Sequence, residues 1–165
     1  TFGGVSRFEK IKYFYSTIKK EKNYLCAVEK TLQKYAYFSK NALLSAELIP
    51  GIEDFLKLLK KYNKSVYVVS GGDQNELIDI YAQRDLMKYF TMVNGSPKSK
   101  DDILKQLNNN SKLSYPAIYF GDAKLDYLTA TKYDLDFVFI YSKSEWCDGI
   151  DFCEEVGCLT LPDFL

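Results

Sequence analysis

The sequence predicts an α/β domain, a parallel sheet with helices on both faces, preceded by a small all-helical unit. Three observations predict it. Short apolar runs rich in β-branched and aromatic residues (SVYVV at 65–69, AIYF at 117–120, FVFIY at 137–141) alternate with amphipathic stretches, the pattern of buried parallel strands joined by crossover helices. Residues 5–48 hold no such run, and their apolar residues recur instead at helical spacing. The 165 residues, 47% of them hydrophobic, suffice for a sizeable core.

In chain order, Phe8, Ile11, Phe14, Tyr15 and Ile18 share one helical face, and Leu25, Val28, Leu32, Tyr35 and Phe38 share another. They predict an αα-hairpin whose Tyr and Phe residues form core. Ile49-Pro50-Gly51 then interrupts the pattern. Helices are predicted over Ile52–Tyr62, Asn75–Arg84, Asp101–Leu107 (capped by Ser99) and Leu125–Tyr133. Strands are predicted over Ser65–Val69, Phe90–Val93, Ala117–Phe120 and Phe137–Tyr141, with a last short run at Cys158–Leu161. Asn108–Asn110 reads as a surface turn.

Composition excludes several functions. Lys plus Arg and Asp plus Glu each number 22, so no basic excess favours nucleic acid or a membrane surface. There is no histidine, which removes Ser-His-Asp, Cys-His and His-zinc chemistry. Cys26, Cys147, Cys153 and Cys158 contain no C-x-x-C pair; they read as free thiols of a cytoplasmic protein, with a disulfide as the alternative. No run of about 18 apolar residues indicates a membrane span.

Ligands of open parallel sheets bind beyond the carboxyl ends of the strands. There the sequence places Ser70-Gly71-Gly72-Asp73, then Gly95-Ser96-Pro97-Lys98-Ser99-Lys100, then Gly121-Asp122-Ala123-Lys124-Leu125-Asp126. A hydroxyl and the backbone N–H groups of a glycine turn can donate to phosphate oxygens. A lysine neutralises their charge, and aspartates can hold Mg²⁺. Each element alone is commonly structural: a βα turn, a solvated lysine, a helix N-cap. Their ordered recurrence at three strand ends is the informative feature.

VYVVSGG, GSPKSKDDIL and IYFGDAKLDYLTA resemble the second, third and fourth motifs of the haloacid dehalogenase (HAD) superfamily. IPGIEDFLKLLKKYNK resembles the helix before the second motif, and GGVSRFEKIKYF a small helical cap. The resemblance implies a cap at residues 1–48 and a Rossmann-like core at 49–165. It implies a Mg²⁺-dependent phosphatase acting on a small phosphorylated metabolite. Ser70, with the Gly71 and Gly72 backbone, would bind the phosphoryl group. Lys100, preferred to Lys98 because KDDIL matches the helix start after the family lysine, would neutralise it. Asp122 would ligate Mg²⁺, with Asp126 as a second carboxylate or its support. Arg7 and Lys10 would meet substrate from the cap.

The family's first motif, a strand followed by D-x-D-G-[TV], is absent. The only D-x-D, Asp134-Leu135-Asp136, precedes a strand and reads as a turn entering it. The resemblance places the lost strand between those ending at Ser70 and Asp122. Upstream residues could supply it in the natural protein, or a truncated relative could repair its sheet otherwise. Without the nucleophile the chain as given is expected to be inactive; the alternative function is a catalytically dead module binding a phosphorylated ligand or a protein. A dinucleotide-binding domain fares poorly, since no G-x-G-x-x-G follows a strand.

Overall fold

A computed structural model describes residues 5–165; Gly3 and Gly4 of the GGVSRFEKIKYF stretch lie outside them. Ser6 caps the first helix, α1 (Arg7–Tyr13), its hydroxyl accepting from the Glu9 amide at 3.3 Å. The helix widens into a π-helical segment over Phe14–Ile18 before the long α2 (Leu25–Ser45). The hairpin is present, but it is not the aromatic core expected of it. Val28 is the one buried residue of these helices, whereas Phe8, Phe14, Tyr35, Tyr37 and Phe38 are exposed. Two helices in a single layer bury only the strip between them and the strip facing the body.

Gly51 is left-handed, with φ 75°, and a Cβ there would lie 2.3 Å from the Phe164 carbonyl oxygen. Only glycine fits this turn. It starts α3 (Ile52–Lys61), with Glu53 and Asp54 in its first turn and Lys60 and Lys61 in its last, the order that the helix dipole favours. There follow β1 (Tyr67–Asp73), α4 (Gln74–Gln83), β2 (Met92–Ser96) and α5 (Lys100–Asn109). The chain ends with β3 (Ile118–Gly121), α6 (Lys124–Lys132), β4 (Asp136–Ile140), α7 (Gly149–Val156) and β5 (Leu159–Leu161). Helix α7 is absent from the sequence reading, because glycine at its start and acidic residues through it mask a weak apolar pattern. Helix α5 runs to Asn109, so two of the three asparagines finish a helix rather than form a turn.

All strand pairs are parallel, but they fall into two sheets, β1-β2 and β3-β4-β5. The division lies between β1 and β3, where the resemblance expects a strand that this sequence lacks. The bordering strands show it: no residue of β1 is fully buried, and Ile118 of β3 is 57% exposed.

One core nevertheless joins the sheets. Ile103, Leu104 and Leu107 of α5 pack with Tyr119, Ala130, Leu135, Phe137, Phe139 and Cys153, and Tyr67, Val69 and Met92 of the first sheet lie against them. Tyr119 faces this core, while the next residue, Phe120, meets Phe55 of α3 and Phe164. Adjacent strand residues point to opposite faces, so helices cover both.

All four cysteines are free thiols. Cys26 and Cys147 are exposed, and burial pushes the Cys153 thiol up to about 11. The thiolate is the reactive form. At pH 8, iodoacetamide is therefore expected to label Cys26 and Cys147 and spare Cys153 until the protein unfolds. Peptide mass spectrometry with and without urea checks this, and the Cys153 rate in the folded protein is expected to climb only towards pH 11.

Candidate functional site

The polar residues at the strand ends form two groups. On the β3 side, the sharp turn after Gly121 brings Asp122 to the mouth of the strand and Asp126 back beneath it. The approach is so close that a Cβ on Gly121 would sit 2.4 Å from Asp126 Cβ and 2.8 Å from its Cγ. Asp126 is 2% exposed. Its Oδ1 accepts from the Lys100 ammonium and, at 3.0 Å, from the Tyr119 hydroxyl. Lys100 is the first residue of α5, delivered there by a capping box in which Ser99 and Asp102 satisfy each other's backbone amides. Lys98, in contrast, turns outward to Gln106 Oε1 at 2.7 Å. The Asp122 backbone is tied down from the loop after β4, where Ser144 Oγ donates to its carbonyl at 2.5 Å and itself accepts from the Trp146 amide.

Partial burial of the Asp122 carboxyl, and then the negative charge of Asp126, raise its pKa; Lys100 only offsets this. Among the described residues no cluster of three or more metal-ligating side chains occurs. Two crowded carboxylates still fit Mg²⁺, which takes one or two carboxylates and completes its shell with water and phosphate oxygens.

Gly121→Ala is expected to destabilise the protein by about 1–3 kcal/mol through this overpacking. Since the clash falls on Asp126 itself, the variant is also expected to displace the Lys100 pair. Chemical denaturation, with amide chemical shifts at residues 100 and 126, measures both effects.

On the β1 side, the expected glycine turn at the helix N-terminus is not what forms. The strand continues through Ser70, Gly71 and Gly72 to Asp73, with a register shift between Val69 and Asp73. The Gly72 amide donates to Ser70 Oγ at 3.0 Å. The N-terminus of α4 is filled by its own cap, Asp73 Oδ1 accepting from the Asn75 and Glu76 amides. An aspartate is a strong N-cap, so those donors are already satisfied. Among the described residues no hydrogen bond or ion pair links Ser70 to Lys100, Asp122 or Asp126.

Arg7 and Lys10 both line a cleft of about 310 Å³ between the first helices and β1–α4, with Tyr35, Ser39, Gly71, Gly72, Asp73 and Glu76. Arg7 is engaged there, paired with Glu76 at 2.5 Å, 3.4 Å from Ser39 Oγ and over the Tyr35 ring. The Lys10 ammonium has no partner among the described residues. Lys40–Asp79 and Arg84, which donates to the Leu43 and Ala46 carbonyls, also clamp α2 onto α4.

Sequence reasoning missed Tyr119, Ser144, Asp73 and Glu76. A lone hydroxyl in the otherwise apolar AIYF run was the available signal for the first. Asp73 caps amides two and three residues on, a local signal, whereas Ser144 and Glu76 depend on contacts between distant segments.

A parallel α/β scaffold that gathers a lysine and two aspartates at the carboxyl ends of its strands defines a Rossmann-like protein. The chain belongs to the haloacid dehalogenase-like hydrolases, whose family model matches residues 1–140. No curated protein matches it. Among solved structures it is similar to a β-phosphoglucomutase from Clostridium difficile (TM-score 0.73, 17% identity, covering 99% of this chain and 73% of the other). It is also similar to a predicted phosphatase from Clostridium acetobutylicum (TM-score 0.71, 20% identity, 96% and 73%). A haloacid dehalogenase-like hydrolase from Streptococcus pneumoniae matches with TM-score 0.63 and 24% identity, covering 78% of this chain and 63% of the other. These likenesses establish the fold.

Proposed function

We propose that the chain is the phosphate- and metal-handling part of a Mg²⁺-dependent phosphatase for a small phosphorylated metabolite, working in the cytoplasm. The observation that carries the reading is the Lys100–Asp126 pair beside Asp122 at the mouth of β3. In it Lys100 offers an ammonium to phosphoryl oxygens, held in place by a buried carboxylate. Asp122, with Asp126 behind it, would hold the ion. Bound Mg²⁺ would supply charge neutralisation at the phosphoryl oxygens. Ser70 and the Gly71–Gly72 backbone would meet the same group from the other side of the gap between the sheets. The first 48 residues act as a cap, with Lys10 in the cleft free to contact the organic part of the substrate and Arg7 holding the cap closed through Glu76.

The covalent route needs a nucleophilic aspartate, and residues 1–165 contain no D-x-D after a strand. The second reading is a phosphate-binding module without turnover.

Calorimetry with inorganic phosphate and Mg²⁺ is expected to show binding. Lys100→Ala should weaken it by roughly ten- to a hundredfold, the worth of a charge-assisted hydrogen bond. With p-nitrophenyl phosphate, residues 1–165 should not turn over, and a strand bearing D-x-D fused ahead of Thr1 should restore activity. Turnover by residues 1–165 that vanishes in Asp122→Ala overturns the assignment of an external nucleophile. Phosphate binding without turnover, even with the added strand, favours the module.

A further inference from the structure

We propose that Tyr119 is a positioning residue whose hydroxyl sets the orientation of Asp126 and, through it, the place of Lys100. The inference rests on the reading that Lys100 meets phosphate.

Tyr119 lies opposite Phe137 in the β3–β4 register, and its ring packs in the main core 6.5 Å from the Phe137 ring. Packing alone needs only the ring, which phenylalanine would supply. The hydroxyl does something more. It crosses the boundary of the apolar core and donates to Asp126 Oδ1 at 3.0 Å, the oxygen that also accepts from Lys100. Donors from β3 and α5 thus converge on one oxygen of α6. The last torsion of an aspartate is broad and nearly two-fold. Two donors on a single oxygen fix the plane of the carboxylate, and with it the point at which the Lys100 ammonium rests. Buried at 9% exposure, Tyr119 has no solvent to bond instead, so the arrangement is obligatory for a satisfied core.

The test reads the lysine directly. In wild-type protein, ¹⁵N NMR should show the Lys100 ammonium as a signal protected from water exchange, assigned by its loss in Lys100→Ala. Tyr119→Phe, which keeps the ring, should speed that exchange several-fold and shift the signal. Affinity for inorganic phosphate with Mg²⁺ should fall by roughly three- to tenfold, the worth of one neutral-donor hydrogen bond. A loss of packing alone would lower the melting temperature without moving the Lys100 signal. Should Tyr119→Phe fail to fold, the wild type still decides, because a slowly exchanging Tyr119 hydroxyl proton is required. An unchanged Lys100 signal in folded Tyr119→Phe, or no protected hydroxyl proton in the wild type, overturns the proposal. A Lys100 signal that moves while wild-type protein binds no phosphate upholds the positioning and defeats the phosphate reading instead.

Discussion

Asp126→Ala is expected to destabilise the protein by about 3–5 kcal/mol, the cost of breaking a buried charged pair from one side. The size follows from what remains. The side chains of Lys100 and Asp126 are 10% and 2% exposed, so the ammonium loses its carboxylate without regaining full hydration. The Tyr119 hydroxyl loses its acceptor in the same step, adding the penalty of an orphaned buried donor. Asp126→Asn retains an acceptor oxygen but no charge, and should fall between wild type and alanine. Urea denaturation of the three proteins at one pH orders them. A loss under about 1 kcal/mol for alanine, typical of an exposed pair, would mean that water reaches Lys100 freely.

Phe139→Ala is expected to cost a similar amount, about 3–5 kcal/mol, by opening a cavity in the core. Phe139 is 1% exposed. Its ring stacks at a tilt on Trp146, 5.1 Å between centroids, and Gly149 passes so close that a Cβ there would lie 2.5 Å from the ring. This packing reaches the site. Trp146 donates through its amide to Ser144, which holds the Asp122 carbonyl. The variant should therefore lose hydrogen-exchange protection at Trp146 before the strands themselves open. Uniform loss of protection across the core would show that the loop does not depend on Phe139.

These two residues differ in how far the sequence betrays them. Phe139 sits in FVFIY, an apolar run whose burial follows from composition and length alone. Asp126 was legible only as a carboxylate four residues after Asp122. The sequence left its role open between ion ligand and support, and that role depends on Lys100, 26 residues away, and on a hydroxyl seven residues back in a strand. Lys100 is preferred to Lys98 in the sequence because KDDIL resembles the helix start after the family lysine; in the structure Lys100 reaches Asp126, whereas Lys98 reaches Gln106.

The β1 end was misread for a related reason. Ser-Gly-Gly carries strong turn propensity, and propensity yields to tertiary context. Pairing with β2 extends the strand to Asp73, whose carboxylate then caps α4 through the Asn75 and Glu76 amides. The exposed aromatics of α1 and α2 were misread because helical spacing gives a face but not what lies against it.

The sequence by itself determined the alternation of parallel strands and helices, the order of the polar residues at the strand ends, and the absence of histidine chemistry. These follow from periodicity, which is local, and from composition. Only the tertiary structure decided that Arg7 is bound to Glu76 and that one oxygen of Asp126 gathers Lys100 and Tyr119. The Arg7–Glu76 and Lys100–Asp126 pairs join segments far apart in the chain, and the Tyr119 hydroxyl joins the second pair because buried polar groups must be satisfied together.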